Sequence, residues 1–182
     1  NDPLEYSYEW FNISGESLST DQLLTLNPTD YQPNQVIRCK GIVSDGLISV
    51  SETVETTVKN TLPVIENIAI SPSSAVELGI DIQCTANATD ADLDPGLSIA
   101  YQWQQNGQNI STGGHLSLDR TQFEVLDEVS CIATASDSHG GSTTASTRVV
   151  IGNTPPTMSG VVIEPDSPSS QDTLICQAIN VE

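Results

Sequence analysis

The sequence predicts an all-β chain of tandem two-sheet sandwiches, and three observations carry that prediction. Short runs of alternating apolar and polar residues (VIENIAI, IDIQCTA, LSIAYQW, TTASTRVVI) recur between clusters of Gly, Pro, Asn and Asp, with no helical periodicity. Five separate landmarks return at a spacing of 92 or 93 residues. The one complete unit between them holds seven short strands, the number a two-sheet sandwich of this size requires.

The landmarks define the units. Asn60-Thr61-Leu62-Pro63 returns as Asn153-Thr154-Pro155-Pro156, and IAISPSS (68–74) as VVIEPDS (161–167). Tyr8-Glu9-Trp10 matches Tyr101-Gln102-Trp103, Cys39 matches Cys131, and Cys84 matches Cys176. Residues 61–153 then form a complete domain, 1–60 carry the tryptophan strand through the last strand of a unit, and 154–182 carry only the first two strands of the next.

Within the complete unit the alternation predicts strands near 64–70, 80–88, 98–105, 108–112, 115–119, 129–136 and 143–151. Asn106-Gly107 separates the third and fourth as a tight hairpin turn, because both residues tolerate positive φ. The acidic run TDADLDPG (89–96) lies between the second and third strands, and SDSHGG (136–141), matched by SDG at 44–46, between the last two.

The order Cys84, Trp103, Cys131 resembles the immunoglobulin-like fold, with a cysteine on strand B, a tryptophan on strand C and a cysteine on strand F. The runs NTPPT, ISP, TDADLDP, YQW and SDSHGG narrow this to a resemblance to the tandem immunoglobulin-like repeats of large bacterial and archaeal extracellular surface proteins. The resemblance implies a Cys84–Cys131 disulfide with Trp103 packed on it, and Trp10 as the corresponding core residue of the first unit. Such a bridge encloses 47 residues, worth about 4 kcal/mol in the chain-entropy picture. The same logic leaves Cys39 and Cys176 as partners across copies or periods. Phe123 and Tyr31 precede strand F and depart from the usual tyrosine-corner position.

The two partial units are nearly continuous when end is joined to beginning. Cysteine to tryptophan is then 16 residues across the seam against 19 inside the chain, with the Asp2-Pro3 and Asp94-Pro95 steps shared. The expectation is one two-domain period of a longer array, in which residues 154–182 of one copy or period complete residues 1–60 of the next, head to tail.

Composition bounds the chemistry. Twenty-four acidic residues face five basic ones, for a net charge of −19. Such a surface cannot neutralise phosphates, which excludes nucleic acid as a partner, and no apolar run reaches membrane-spanning length. Zinc needs closely paired ligands, and neither a C-x-x-C nor a His pair is present. Asp90, Asp92 and Asp94 alternate in one loop and Asp137 lies in a second loop at the same pole, so the four are calcium candidates. The run is not an EF-hand: its glycine stands seventh, and Tyr101 takes the place of the bidentate glutamate. Asn12, Asn87 and Asn109 head N-x-S/T glycosylation triplets. No catalytic constellation is present, so the sequence points to a non-catalytic extracellular or cell-surface repeat of a filament, stalk or fibre. The competing readings are an adhesin that grips a glycan or a protein, and an accessory module of a secreted enzyme.

Overall fold

Residues 3–153 and 155–181 are described in the computed structural model, and they form thirteen β-strands and no helix. The first sheet comprises β1 (Glu5–Asn12), β2 (Ser17–Ser19), β3 (Val36–Ser44) and β4 (Ser49–Thr57), in the order β2-β1-β3-β4. The complete domain follows. Its smaller sheet is β5 (Val64–Ser71), β6 (Asp81–Thr89) and β9 (His115–Ser117). Its larger sheet is β8-β7-β10-β11, from β7 (Ser98–Gln105), β8 (Gln108–Thr112), β10 (Glu128–Ser136) and β11 (Ser142–Val150). A separate hairpin of β12 (Met158–Glu164) and β13 (Ile175–Val181) comes last.

The complete domain is an immunoglobulin-like sandwich, and its alternation is the cause. On β10, Val129, Cys131, Ala133 and Ala135 are fully buried while the residues between them are not. That is the period-two pattern of a sheet with one face in a core. Trp103, Phe123, Ile82 and Leu118 fill the space between the sheets, each contributing about 2 kcal/mol or more on burial. Cys84 and Cys131 are bridged, with Cα atoms 6.4 Å apart, and Trp103 stands directly opposite Cys131 on the neighbouring strand. Asn106 (φ 49°) and Gly107 (φ 84°) make the turn between β7 and β8.

The first sheet repeats the larger sheet of the complete domain in detail. The order β2-β1-β3-β4 mirrors β8-β7-β10-β11, and Trp10 opposes Cys39 as Trp103 opposes Cys131. Each indole N–H donates to the carbonyl of a following loop, Trp10 to Asp21 at 2.9 Å and Trp103 to Gly113 at 2.8 Å. Asn34 (φ 71°) and Leu126 (φ 73°) occupy the same left-handed position before the sixth strand of the unit. From there the Asn34 amide bonds the Val58 carbonyl, as the Leu126 amide bonds that of Ile151.

Two details differ from the expected elements. The strand expected over 115–119 ends at Ser117, because Leu118 bonds Ile80 and Gly79 outside the ladder and Asp119 caps the following turn at Thr121. The β2 strand, Ser17-Leu18-Ser19, is too short at three residues for its alternation to announce it.

Candidate functional site

Three features stand out: an open sheet, an open hairpin and a tightly bonded pole. Successive residues alternate faces on a strand, so Tyr6, Tyr8 and Trp10 share one side of β1. Cross-strand register adds Val43, Cys39 and Ile37 on β3, and Val50 and Val54 on β4. These positions match the inward face of the larger sheet of the complete domain. There β5, β6 and β9 cover them, whereas no strand among the described residues covers the first sheet. Trp10 is accordingly half-buried, and Tyr6, Val50 and Val54 are exposed. A cleft of about 610 Å³ at the Asn12–Val36 end of this sheet is lined by Leu18, Tyr31, Val36 and Ile37, among others.

The hairpin is the counterpart of β5–β6. Ile163 pairs with Cys176 and Val161 with Ala178, in the register that joins Ile70 to Cys84 and Ile68 to Ala86. Equivalent positions have opposite surroundings. Ile70 is 4% exposed and Ile163 is 56%; Ile82 is 1% and Leu174 is 53%. Cys39 and Cys176 are both free thiols, half-buried and exposed respectively.

A third segment belongs with these two. β9 exists as a strand because β6 bonds it, Ile82 opposite Leu116. Its counterpart, Leu23-Leu24-Thr25-Leu26, has the same alternation but no strand partner among the described residues, and it is coil. Leu118 is fully buried, while Leu26 is 46% exposed. Exposed leucines at 23 and 26 were not foreseen as site residues, although LLTLN against HLSLD at an offset of 92 was there to be read.

At the pole where the first sheet meets the complete domain, carboxylates tie loops together. Asp94, buried, accepts the Gly96 amide at 2.6 Å and the Ser138 amide and hydroxyl, each at 2.7 Å, and lies 3.0 Å from His139 Nδ1. The Ser138 hydroxyl and the Gly96 amide hold its pKa down at about 2. Asp137 accepts the Asn60 side-chain amide at 2.8 Å and the Gly141 and His139 amides, and the Asn60 bond is the main cause of its lowered pKa. Asp92 accepts the Thr61 amide at 2.6 Å. Thr143 donates its hydroxyl to the Pro63 carbonyl. The linker 58–63 is thus bonded to the complete domain by side chains from three loops or strands, and to the first sheet through Val58.

Of the four calcium candidates, Asp94 and Asp137 come together with His139, one ligand atom from each lying within 4.8 Å of the others. Both carboxylates are occupied by N–H and O–H donors. Asp90 differs: its Oδ1 accepts the Asp92 amide, while its Oδ2 is buried and has no partner among the described residues. Ser138, His139 and Asp94 do not form a nucleophile–base–orienter array, since the Ser138 hydroxyl donates to Asp94 and not to the imidazole. Among the glycosylation candidates, Asn87 and Asn109 are exposed on strands, whereas Asn12 caps a turn through Ser14, Glu16 and its own amide to Glu16.

No family model and no curated protein matches this chain. Among solved structures, the fibronectin(III)-like modules of Clostridium thermocellum CbhA are similar to it at a TM-score of 0.34 and 14% identity, over 80% of this chain and 77% of that one. The assignment of the fold as tandem immunoglobulin-like sandwiches rests on strand order, register and the bridged core described above.

Proposed function

We propose that this chain is a non-catalytic structural repeat of an extracellular filament, stalk or fibre, assembled head to tail with copies of itself. One observation carries the reading. Ile163, Leu174 and Cys176 of the last hairpin are exposed where their equivalents Ile70, Ile82 and Cys84 are buried. On the first sheet Trp10 and Cys39 are only half-buried where Trp103 and Cys131 are fully buried. In the proposed contact β12–β13 of one copy lies on the Trp10 face of the next, and β13 pairs along Leu23–Thr25, which becomes a strand as β9 does beside β6. An extended segment that adds to a free edge gains main-chain hydrogen bonds, while its side chains fill the waiting pockets. The contact is heterologous, so it propagates into a fibre unless its rotation closes a ring.

Cys39 and Cys176 occupy the positions that Cys131 and Cys84 occupy in the complete domain. In the assembled state they are the partners of an intersubunit disulfide, formed when dioxygen or an external disulfide takes two electrons and two protons from the thiols. Calcium is proposed as the pole's cation, with Asp90 Oδ2 as its anchor, because that oxygen alone among the calcium candidates' carboxylate oxygens is buried without a donor among the described residues.

Sedimentation of the 182-residue chain over a concentration series tests the assembly. Head-to-tail species should grow with concentration, become resistant to dilution after oxidation, and vanish in Leu174→Asp. A chain that stays monomeric at millimolar concentration overturns the reading.

A further inference from the structure

The joint between the first sheet and the complete domain has a second set of parts in the chain that no contact among the described residues uses. The Asp137 loop and the Asp45 loop are built alike. The Asp137 amide bonds the Gly141 carbonyl and the Asp45 amide bonds that of Ile48. Asp137 Oδ1 accepts the amides of His139 and Gly141, and Asp45 Oδ1 accepts those of Leu47 and Ile48. In the first loop the other oxygen, Oδ2, takes the Asn60 side-chain amide. In the second, Oδ2 has no hydrogen-bond partner among the described residues. On the donor side, Asn60-Thr61-Leu62-Pro63 has its repeat in Asn153-Thr154-Pro155-Pro156, and Asn153 and Pro155 are exposed.

Side-chain volume supports the match. In the observed joint a large linker residue meets a bare loop residue: a Cβ on Gly141 would stand 2.9 Å from Leu62 Cδ2 and 2.7 Å from Asn60 Nδ2. In the unused parts the sizes are exchanged. The position of Leu62 holds the smaller Pro155, and the position of Gly141 holds Ile48, which is exposed beside an exposed Leu47. Volume removed from the linker reappears on the loop, as two surfaces that meet require.

We propose that the linker at Asn153 of one copy docks on the β3–β4 loop of the next, the Asn153 amide donating to the Asp45 carboxylate and Pro155 seated against Ile48. This contact rests on the head-to-tail reading and adds to it a joint that sets the angle between successive domains. It places a second-copy interaction surface at Asp45, Leu47 and Ile48, at the end of the first sheet remote from Val58 and apart from the Trp10 face.

A double-mutant cycle on the 182-residue chain, read by sedimentation, tests it. Asn153→Ala and Asp45→Ala should each weaken association about tenfold, the scale of one hydrogen bond to a charged group. The double variant should be no weaker than either alone. Asn153 is exposed and its side chain has no hydrogen-bond partner among the described residues, so its variant guards against a loosened Asp45 loop, and Ile48→Gly should weaken association independently. Wild-type association with both Asn153→Ala and Ile48→Gly unaltered overturns the joint and leaves the sheet-and-hairpin contact standing. Absence of wild-type association overturns both.

Discussion

Asn60 and Asp137 are 77 residues apart in the chain, and the amide of one donates to the carboxylate of the other at 2.8 Å. That bond fastens the linker to the loop between β10 and β11. Asn60→Ala should leave each sheet folded but widen the range of angles between the first sheet and the complete domain. Residual dipolar couplings should fit one common alignment tensor in the wild type and two in the variant. A common tensor in both would assign the joint's stiffness to Thr61 and Pro63 instead.

The Cys84–Cys131 bridge encloses 47 residues. Its removal by Cys84→Ala with Cys131→Ala should cost the complete domain about 4 kcal/mol, from the closed-loop entropy alone. Urea unfolding followed at Trp103 measures it. A loss under about 1 kcal/mol would mean that the packing around Trp103 holds the two sheets without help.

Acid should destabilise the pole through Asp94. Its pKa falls from 3.8 to about 2 in the folded chain, so the unfolded chain takes up the proton first. The stabilisation is complete above about pH 4 and disappears as the pH drops through 2. Asp119, Asp127 and Asp137 are lowered too and act in the same direction. Asp94→Asn should lower stability at neutral pH and flatten its dependence between pH 4 and 2. An unchanged slope would place the acid sensitivity on the other lowered carboxylates, Asp45, Asp119, Asp127, Asp137 and Asp172.

Leu118 and Leu26 are equivalent in the repeat, yet only Leu118 is buried. Leu118→Ala should destabilise the complete domain by about 2–5 kcal/mol, the range for truncation in a closed core. Leu26→Ala should change monomer stability by less than about 0.5 kcal/mol, as surface changes do. Chemical denaturation of dilute protein compares the two. Equal losses would mean that the first sheet is already closed within one chain.

Calcium should raise the thermal midpoint of the wild type at low salt, and Asp90→Asn should abolish the rise. If sodium at equal ionic strength gives the same gain, screening of a chain with net charge −19 explains it without a site.

Much of this architecture was legible in the residues. Alternation in VSCIATAS placed β10, Asn106-Gly107 placed the turn into β8, and the Cys84–Trp103–Cys131 order placed the core. These signals are local, or repeat at a fixed offset. The pole was harder to read. Asp94 meets Ser138 and His139 across 44 and 45 residues, and only the closing of the sandwich brings those two loops together. Asp90, Asp92 and Asp94 look alike in TDADLDPG, but one clamps the β10–β11 loop, one holds the linker, and one keeps an oxygen free. Alternating acids in a loop say nothing of that division of labour.

The bridge has a mechanical consequence as well. If a stalk carries load along its length, tension reaches the complete domain at its linkers near Pro63 and Gly152, outside the loop that Cys84 and Cys131 close. A domain pulled open while oxidised can pay out only the residues outside that loop, roughly half of its chain. At ~3.4 Å per extended residue the slack is ~150 Å, against ~300 Å for the reduced form. Oxidation would make each domain a shorter, stiffer element under strain, with the segment from Cys84 to Cys131 kept out of the extending chain.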